Sequence, residues 1–363
     1  PSSPAFRGGD RVSPPFDFQR RRRAQRASEV GTMNRTEARH YKKGRGGRVD
    51  CLLCPHNCSI AEGRSGICDI RTNLGGALYS DIYGRVSSIA MDPIEKKPLY
   101  HFHPGSLILS IGTVGCNMKC SYCQNWHISQ NTAASTSYYE PSAVVRSASR
   151  EGSMGVAYTY SEPIVWFEYV MDCAKEARSA GLKNVMVTNG FVNPDPLEEL
   201  LGLVDAMNID LKTFRDETYK KYQKGRLKPV LDTIKRAHGA CHIELTTLIV
   251  TGINDDMAEM REIMDWIASI DRTIPWHISR YHPSHRYDAP ATDIAFIMKV
   301  YEEARRKLDF VYCGNIAGAR NGTDTHCPSC GATVISRRGY STEITALDSG
   351  RCARCGADLK IRM

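Results

Sequence analysis

Three cysteines on one short segment are the residues of this sequence best suited to redox chemistry. Cys116, Cys120 and Cys123 have the spacing C-x3-C-x2-C and follow the apolar run 107–111. Thiolates are the usual ligands of iron–sulfur clusters, and three thiols this close together can hold three irons of a four-iron cluster. The fourth iron then keeps an open position, as catalytic metal sites do. A structural zinc loop that lacks one ligand, or three unrelated thiols, would have the same spacing.

A second group of cysteines lies nearer the N-terminus, at Cys51, Cys54, Cys58 and Cys68. Their spacing, C-x2-C-x3-C-x9-C, is dense enough for a small metal-binding loop. The sequence leaves three interpretations open: a second iron–sulfur cluster, a zinc site, or a cysteine-rich turn that packs on the rest of the protein. We therefore treat these four residues as candidate ligands of a second metal or cluster.

A third group occupies the C-terminal end, with the spacing C-x2-C-x21-C-x2-C: Cys327, Cys330, Cys352 and Cys355. This pattern predicts a zinc ribbon, because four thiols fill a tetrahedral site. So short a segment buries little core, and we expect the metal to supply its folding free energy. A glycine follows each cysteine pair and is predicted to turn backbone N–H groups toward the thiolates. Three arginines could make the ribbon a docking surface for protein or nucleic acid: Arg337, Arg338 and Arg351.

The composition is that of an ordinary soluble protein, with 42% hydrophobic and 24% charged residues in a chain of 363. This length allows one large domain with small satellites. No apolar run reaches the length of a membrane span, so we expect no membrane segment. Fourteen cysteines, several in C-x2-C pairs, in a chain without an apolar signal segment indicate metal sites in a reducing compartment. We expect a cytoplasmic, oxygen-sensitive protein.

Changes in composition divide the chain into four segments. Residues 1–46 hold much of the net charge of +8 and are predicted to form a disordered basic tail, with nucleic acid or membrane contact as the alternative. Residues 47–105 form the N-terminal cysteine-rich module and connecting strands. Residues 106–316 form the main domain, and residues 317–363 form the zinc ribbon.

Short apolar runs alternate with helical periodicity through the main domain, which predicts an α/β fold with a parallel sheet. We expect strands at 107–111, 156–160, 184–188, 206–210, 243–250, 276–281 and 311–313. We expect helices at 164–179, 195–203, 228–237, 257–270 and 293–307. A doubly wound open sheet would have the same alternation and is the competing architecture.

Polar residues follow these strands, where the loops of parallel α/β barrels carry their chemistry. The candidate site residues are Glu162, Asn189, Asp210, Lys212, Arg280 and His282. Each has a simpler interpretation as well. Glu162 could cap the helix that follows, Asn189 begins an ordinary turn dipeptide, and the charges two residues apart on the fourth strand could pair with each other.

Several stretches of the sequence resemble one known group of enzymes. They are C-L-L-C-P-H-N-C at 51–58, I-G-T-V-G-C-N-M-K-C-S-Y-C-Q-N-W at 111–126, Y-T-Y-S-E-P at 158–163, M-N-I-D-L-K at 207–212 and W-H-I-S-R-Y-H-P at 276–283. Together they resemble the AmmeMemoRadiSam-system radical S-adenosylmethionine (SAM) enzymes, a group similar to the pyruvate formate-lyase activating enzymes. The resemblance extends from about residue 40 onward.

The resemblance implies a partial (β/α)6 radical SAM barrel, a [4Fe-4S] cluster on the cysteine loop after the first strand, and SAM bound to the open iron. It assigns Tyr122 as the aromatic residue that shields the cluster and Glu162 as the ligand of the SAM amino group. It places Asp210 and Lys212 in the SAM site and makes His282 a contact of cofactor or substrate. Asn189 has suitable polar chemistry for SAM, and Arg280 or His282 would close the far side.

One departure from the activating enzymes concerns the residues before Glu162. Their usual Gly-Gly-Glu is replaced here by Tyr160-Ser161-Glu162. Paired glycines let the backbone approach the cofactor closely, because glycine has no Cβ and adopts left-handed conformations freely. The sequence therefore does not predict whether the same backbone approach is kept.

Two classes of function fit these observations. The first is a radical SAM enzyme that cleaves SAM to a 5′-deoxyadenosyl radical and abstracts hydrogen from a protein or peptide, or activates a glycyl-radical enzyme. It would require a reductant such as ferredoxin or flavodoxin, and the resemblance implies the two partner proteins of the AmmeMemoRadiSam system. The second is a non-catalytic, metal-stapled adaptor for nucleic acid or protein.

Overall fold

The computed structural model describes residues 35–316 and 322–363. Within the segment predicted as tail, Thr36–Glu37 pairs with Ala77–Ser80, and Tyr41–Lys43 pairs with Val49–Cys51. The predicted end of the tail at residue 46 is therefore wrong, because residues 35–46 take part in two small sheets. The rest of the predicted tail, residues 1–34, lies outside the described residues.

A sheet of eight strands forms the centre of the described chain. Seven are parallel: Leu107–Gly112, Gly155–Tyr158, Lys183–Thr188, Ala206–Asp210, His242–Ile249, Trp276–Arg280 and Val311–Gly314. All seven predicted strands are confirmed, with ends shifted by at most two residues. The apolar runs are continuous because parallel strands covered on both faces bury every side chain, as Gly155–Tyr158 does.

The order of the parallel strands in the sheet is their order in the sequence. A doubly wound sheet requires the order to reverse at a switch point, so the competing architecture is wrong. Sequential order is that of singly wound α/β folds such as barrels. Closure into a partial barrel stays a prediction, since each edge strand of the sheet has one paired neighbour.

An antiparallel strand that the sequence pattern placed only loosely completes the sheet. Ser88–Pro93 pairs with Leu107–Gly112 along its whole length. It covers the edge of the first parallel strand, the strand that leads into the cysteine loop. The remaining short strands of this region are Ser59–Ile60, Arg71–Leu74 and Arg85–Val86.

Five helices confirm the predicted ones: Phe167–Ser179, Pro194–Leu201, Leu227–His238, Met257–Ile270 and Ile294–Ala304. Local sequence explains their ends. The Asp256 carboxylate accepts from the Glu259 N–H at 3.1 Å, and that of Asp293 accepts from the Ala295 N–H at 3.0 Å, which satisfies helix N-termini. A sixth helix, Pro141–Arg150, was not predicted.

The C-terminal module consists of two small antiparallel sheets. The first contains Thr325–His326, Thr333–Arg338 and Ser341–Ile344, and the second contains Leu347–Asp348 and Arg351–Cys352. Its apolar residues pack with Tyr100, Phe310 and Tyr312, beside the amino ends of the parallel strands. The module therefore lies at the end of the sheet opposite to the cysteine loop.

Arg337 fastens this module to the main domain. Its guanidinium donates to the Tyr100 carbonyl and to the Thr325 hydroxyl, each at 2.8 Å, and its carbon lies 4.1 Å from the centre of the Tyr100 ring. Arg337 is buried, so its predicted role on a docking surface is wrong. Arg338 and Arg351 are exposed.

Candidate active site

The cysteine loop begins where the first parallel strand ends, and a second segment of the chain holds it in place. The backbone N–H of Lys119 donates to the Gln223 carbonyl at 2.8 Å, and that of Ser121 donates to the Tyr222 carbonyl at 3.1 Å. Gln223 also donates from its side chain to the hydroxyl of buried Tyr122, at 2.6 Å. The π-helical segment Tyr219–Gln223 thus forms a strap across the loop, which sequence spacing did not indicate.

The three loop thiols occupy buried or half-buried positions. Burial raises the pKa of Cys116 well above its usual value and raises that of Cys120 to about 12, although the charge of Lys212 lowers the latter. Thiolates are the metal-binding form, so the thiols must lose their protons when they bind a metal or cluster. Thiols that each bind a different iron stand farther apart than ligands of one ion, and these three sulfurs do not all lie within 4.8 Å of one another.

Asn189 connects the end of the third strand directly to the cysteine loop. Its amide nitrogen lies 2.9 Å from the Asn117 side-chain oxygen and 3.7 Å from the Cys116 sulfur. Asn117 in turn donates to the Phe191 carbonyl at 2.7 Å. Asn189 is therefore part of the wall that positions Cys116, and Asn117 is a site residue that sequence analysis missed.

Glu162 lies buried beside this wall. Its carboxylate accepts from the Asn189 N–H at 2.8 Å, from the Thr188 hydroxyl at 2.7 Å and from the Ile164 N–H at 3.1 Å. Burial raises its pKa to about 7, and the three hydrogen bonds oppose that shift. The cap interpretation is correct for the bond to Ile164, but the other two bonds turn the carboxylate toward the site.

The backbone conformation of Tyr160 bears on the absence of the paired glycines. It has a φ of 69°, a left-handed conformation that glycine normally provides. Its hydroxyl donates to Asp92, and the Lys97 ammonium lies 4.6 Å from the centre of its ring. These contacts hold the side chain in place, so the backbone takes a glycine-type conformation without glycine.

Asp210 and Lys212 form the ion pair that the simpler interpretation expected, with 2.7 Å between carboxylate and ammonium. Burial opposes the positive charge of Lys212, but Asp210 and the nearby Cys120 raise its pKa well above its usual value. Lys212 therefore stays charged beside the cysteine loop. Its backbone N–H donates to the Tyr219 hydroxyl at 3.1 Å, which connects the pair to the strap.

Arg280 and His282 are placed differently from the residues above. Arg280 is half-buried and donates from Nε to the Thr292 carbonyl at 2.7 Å. His282 is exposed, and its ring nitrogen lies 3.4 Å from the Asn315 carbonyl. Their contacts are to the loops that follow the last two parallel strands, whereas Glu162 and Asn189 contact the cysteine loop region.

Some of the buried polar atoms without a hydrogen-bond partner lie around this end of the sheet. Within the described chain they include side-chain atoms of Ser121, Ser161, Gln223, Thr251 and His285. Burying a polar group without a hydrogen bond is costly, and such groups usually have a partner. A polar ligand bound at this end of the sheet would give these atoms partners.

The C-terminal thiols have a different geometry. The sulfurs of Cys327 and Cys355 lie 3.6 Å apart, as do those of Cys330 and Cys352. Among the described residues, these four alone form a set of three or more ligand atoms within 4.8 Å of one another. Tetrahedral zinc with bonds of about 2.3 Å needs sulfurs about 3.8 Å apart, so one metal ion would fit.

The glycines after these cysteine pairs act as predicted in part. Gly331 and Gly356 have φ of 72° and 74°. Their N–H groups donate to the carbonyls of Cys327 and Cys352, at 2.9 and 2.8 Å. The glycines therefore close the turns through backbone carbonyls. The prediction that the turns direct backbone N–H groups toward the thiolates is confirmed at Cys352, which is hydrogen-bonded by the backbone of Arg354 and Cys355, and at Cys355, which is hydrogen-bonded by that of Ala357.

Comparisons with known proteins identify the family. Residues 110–267 match the model of the radical SAM superfamily. An uncharacterized protein of Methanocaldococcus jannaschii is 41% identical over 333 residues, which cover 90% of this chain and 99% of that protein. Residues 110–267 of this chain form a radical SAM domain. Members of this superfamily are enzymes, and membership implies a [4Fe-4S] cluster and SAM.

Other similarities are more distant. The pyruvate formate-lyase 1-activating enzyme of Escherichia coli K12 is 30% identical over 112 residues, which cover 29% of this chain and 46% of that enzyme. A crystal structure of Streptococcus suis SuiB bound to S-adenosylmethionine aligns with a TM-score of 0.47 and 13% identity, covering 62% of this chain and 53% of that one. None of the helices described here is long and apolar enough to cross a membrane.

Proposed function

We propose that this chain binds a [4Fe-4S] cluster through Cys116, Cys120 and Cys123, cleaves SAM reductively and abstracts hydrogen from a protein or peptide substrate. The observation that carries the proposal is the hydrogen-bonded wall from Glu162 through Asn189 to Cys116. It joins a buried carboxylate to the cysteine loop of a radical SAM chain. A buried carboxylate suits the ammonium group of SAM, because charge-assisted hydrogen bonds are strong.

When bound and reduced, the cluster supplies the electron that splits SAM into methionine and a 5′-deoxyadenosyl radical. The residues of this chain bind, orient and exclude water. Glu162 holds the amino group, and Asp210 with Lys212 offers an acceptor and a donor for the other polar groups of SAM. Tyr122 and the strap Tyr219–Gln223 cover the loop, which keeps water from the reacting groups. Arg280 and His282 serve the outer side, where the substrate approaches.

The proposed class of substrate rests on the activating enzymes. The relative from Escherichia coli is named for activating pyruvate formate-lyase, which is another protein. A protein or peptide is therefore the substrate we favour, and activation of a glycyl-radical enzyme is the second candidate. A reductant such as ferredoxin or flavodoxin would supply the electron, and the two partner proteins of the AmmeMemoRadiSam system are candidates for association. Superfamily membership favours an enzyme over a non-catalytic adaptor.

Anaerobic reconstitution tests the first part of the proposal. Protein with an intact cluster, incubated with dithionite and SAM, should release 5′-deoxyadenosine, measured by chromatography and mass spectrometry. No product from protein with a full cluster would contradict the proposal.

Deuterium transfer tests the class of substrate. A deuterated cell extract is separated into a protein fraction and a small-molecule filtrate, and each is incubated with enzyme, SAM and reductant. We expect deuterium in 5′-deoxyadenosine from the protein fraction. Deuterium from the filtrate alone would assign a small-molecule substrate.

We also propose that the C-terminal cysteines bind one zinc ion. The support is the sulfur spacing of 3.6 Å, which suits tetrahedral thiolate coordination. All four positions are filled by protein, so the ion would be structural. Metal analysis of purified protein tests this part, and less than one zinc per chain after purification without chelator would contradict it.

A further inference from the structure

The four N-terminal cysteines surround one cavity. Cys51 ends the strand Val49–Cys51, and its N–H donates to the Cys58 carbonyl at 2.9 Å, which folds the C-x2-C-x3-C segment back on itself. Cys51, Cys54, Cys58 and Cys68 all line the cavity, together with Arg71 and Asn117. Three of the thiols are buried and Cys58 is half-buried. The four cysteines thus line a pocket. This is more than the turn that only packs on the domain, which was one of the three interpretations.

The distances between these sulfurs distinguish a site for a single metal ion from a site for a cluster. No three of the four lie within 4.8 Å of one another, since among the described residues only the C-terminal cysteines meet that limit. A single zinc ion requires its ligands to converge in the way the C-terminal sulfurs do. The sulfurs of Cys116, Cys120 and Cys123, the proposed ligands of the first cluster, also do not all lie within 4.8 Å of one another. Wide spacing around one cavity suits a cluster, in which different irons take different thiolates.

Arg71 adds an observation that does not depend on the cysteines. It is 1% exposed and lines the cavity. Its terminal nitrogens donate to the Glu168 carboxylate and the Arg39 carbonyl, while its Nε has no hydrogen-bond partner among the described residues. A buried N–H without an acceptor is costly, and inorganic sulfides and cysteine thiolates of a cluster accept such bonds.

This cavity shares a wall with the candidate active site. Asn117, which lines the cavity, follows Cys116 in the chain and accepts from Asn189 at 2.9 Å. The ring nitrogen of His56, between Cys54 and Cys58, lies 2.7 Å from the Asn117 carbonyl. That contact gives His56 a structural role. The N-terminal loop therefore packs directly against the loop of the first cluster.

We propose that Cys51, Cys54, Cys58 and Cys68 hold a second iron–sulfur cluster, of two or four irons, and that the Nε of Arg71 is its hydrogen-bond donor. The site is separate from the open cluster, because four protein thiols fill its ligand positions. Its content does not depend on whether SAM is cleaved.

The first test counts iron and sulfide in a full-length variant without the active-site thiols, C116A/C120A/C123A. After anaerobic reconstitution with iron and sulfide, we expect about two or four irons and as many labile sulfides per chain. The sites are then distinguished by adding C51A/C54A, which should remove this iron while one zinc per chain stays bound. Zinc in place of iron, or no labile sulfide in a variant that keeps its C-terminal zinc, would overturn the proposal.

A second measurement covers the case in which the triple variant does not fold. Wild-type protein should then contain about six or eight irons, and C51S/C54S should contain about four and still release 5′-deoxyadenosine in at least one turnover. About four irons in both proteins would overturn the proposal. Failure of SAM cleavage with about six or eight irons present would contradict the proposed function alone.

The role of Arg71 has its own readout. R71K keeps a positive charge beside Glu168 but removes the Nε donor. Loss of a hydrogen bond to sulfur should shift the reduction potential of the second cluster to a more negative value, measured by redox titration followed by electron paramagnetic resonance. An unchanged potential would overturn the assignment of Arg71 as donor.

Discussion

The N-terminal and C-terminal groups of cysteines both begin with a C-x2-C pair, but their sulfurs are arranged differently. The C-terminal thiols converge within 4.8 Å, whereas the N-terminal thiols spread around a cavity. The difference comes from the backbone. At the C-terminus two turns of equal form, each closed by a glycine N–H, face each other. At the N-terminus all four cysteines lie within 18 residues and wrap one space.

The two groups of cysteines also lie near opposite ends of the parallel strands. The N-terminal cysteines pack against the loop that follows the first parallel strand, and the C-terminal module packs beside the amino ends of the strands. In parallel α/β folds the carboxyl ends of strands carry chemistry and the amino ends support stability. The comparison therefore predicts that damage at one end has little effect at the other.

The largest expected effect comes from Cys120. C120A should reduce the formation of 5′-deoxyadenosine to the level of a reaction without enzyme, because the cluster would lose one of its three proposed protein ligands. The C-terminal module should keep one zinc per chain, measured by elemental analysis. C241A is the matched control, since Cys241 is buried outside the three groups, and it should retain product formation. Loss of zinc in C120A would contradict the prediction that damage at one end has little effect at the other.

The reciprocal change is at Cys330. C330S should release the proposed zinc ion of the C-terminal module and make residues after 322 sensitive to limited proteolysis, because we expect so small a segment to depend on a metal for its fold. Formation of 5′-deoxyadenosine should stay within about threefold of wild type if the opposite end of the sheet is unaffected. S329A, at an exposed neighbour, should change neither property. A complete loss of product in C330S would contradict the independence of the two ends.

Glu162 allows a smaller and more specific change. E162Q removes the charge while keeping a similar shape, and should weaken SAM binding by about 10- to 100-fold, because a hydrogen bond to a charged group contributes about 1.5–3 kcal/mol. Equilibrium binding measured under anaerobic conditions checks this. The iron content should equal that of wild type, and an unchanged affinity would remove Glu162 from the SAM site.

The pH dependence of SAM binding gives the smallest effect. Burial raises the pKa of Glu162 to about 7, so its carboxylate is protonated over a larger part of the neutral range. SAM affinity should therefore rise by up to about tenfold per pH unit as pH increases toward 7 and level off above it. E162Q should lack this dependence. A wild-type profile equally flat between pH 6 and 8 would contradict the role of a titrating Glu162.

The same shift affects stability in the opposite direction. The folded protein holds the Glu162 proton up to about pH 7, whereas the unfolded chain loses it near the usual glutamate pKa of 4.5. Between these values the folded state binds more protons, so this residue contributes stability at low pH that decreases as pH rises through 7. Binding of SAM and stability of the free protein therefore respond to pH with opposite sign.

Much of the fold could be predicted because buried parallel strands have continuous apolar runs in the sequence. The helix Pro141–Arg150 was missed because its sequence, P-S-A-V-V-R-S-A-S-R, is short and rich in serine, so its buried stripe is visible only once the sheet covers it. The antiparallel strand Ser88–Pro93 ends in proline, which weakened its signal.

The types of residue in the candidate site could be predicted from the sequence. The hydrogen bonds that connect them were harder to predict. Residue chemistry at the strand ends pointed to Glu162 and Asn189, but their bonds depend on how separate loops meet. The left-handed Tyr160 is held by Asp92, 68 positions away in the sequence, and no local pattern indicates that contact. The exposure of His282 was equally invisible from spacing.

Arg337 has a consequence for the order of events during synthesis. Tyr100 leaves the ribosome long before Arg337, yet its carbonyl and ring face the guanidinium of that arginine. A nascent chain that has completed only the last parallel strand lacks the C-terminal residues that pack against Tyr100, Phe310 and Tyr312. The segment that covers this aromatic surface is translated after the last parallel strand, so the packing of the main domain is completed only once that segment has been made.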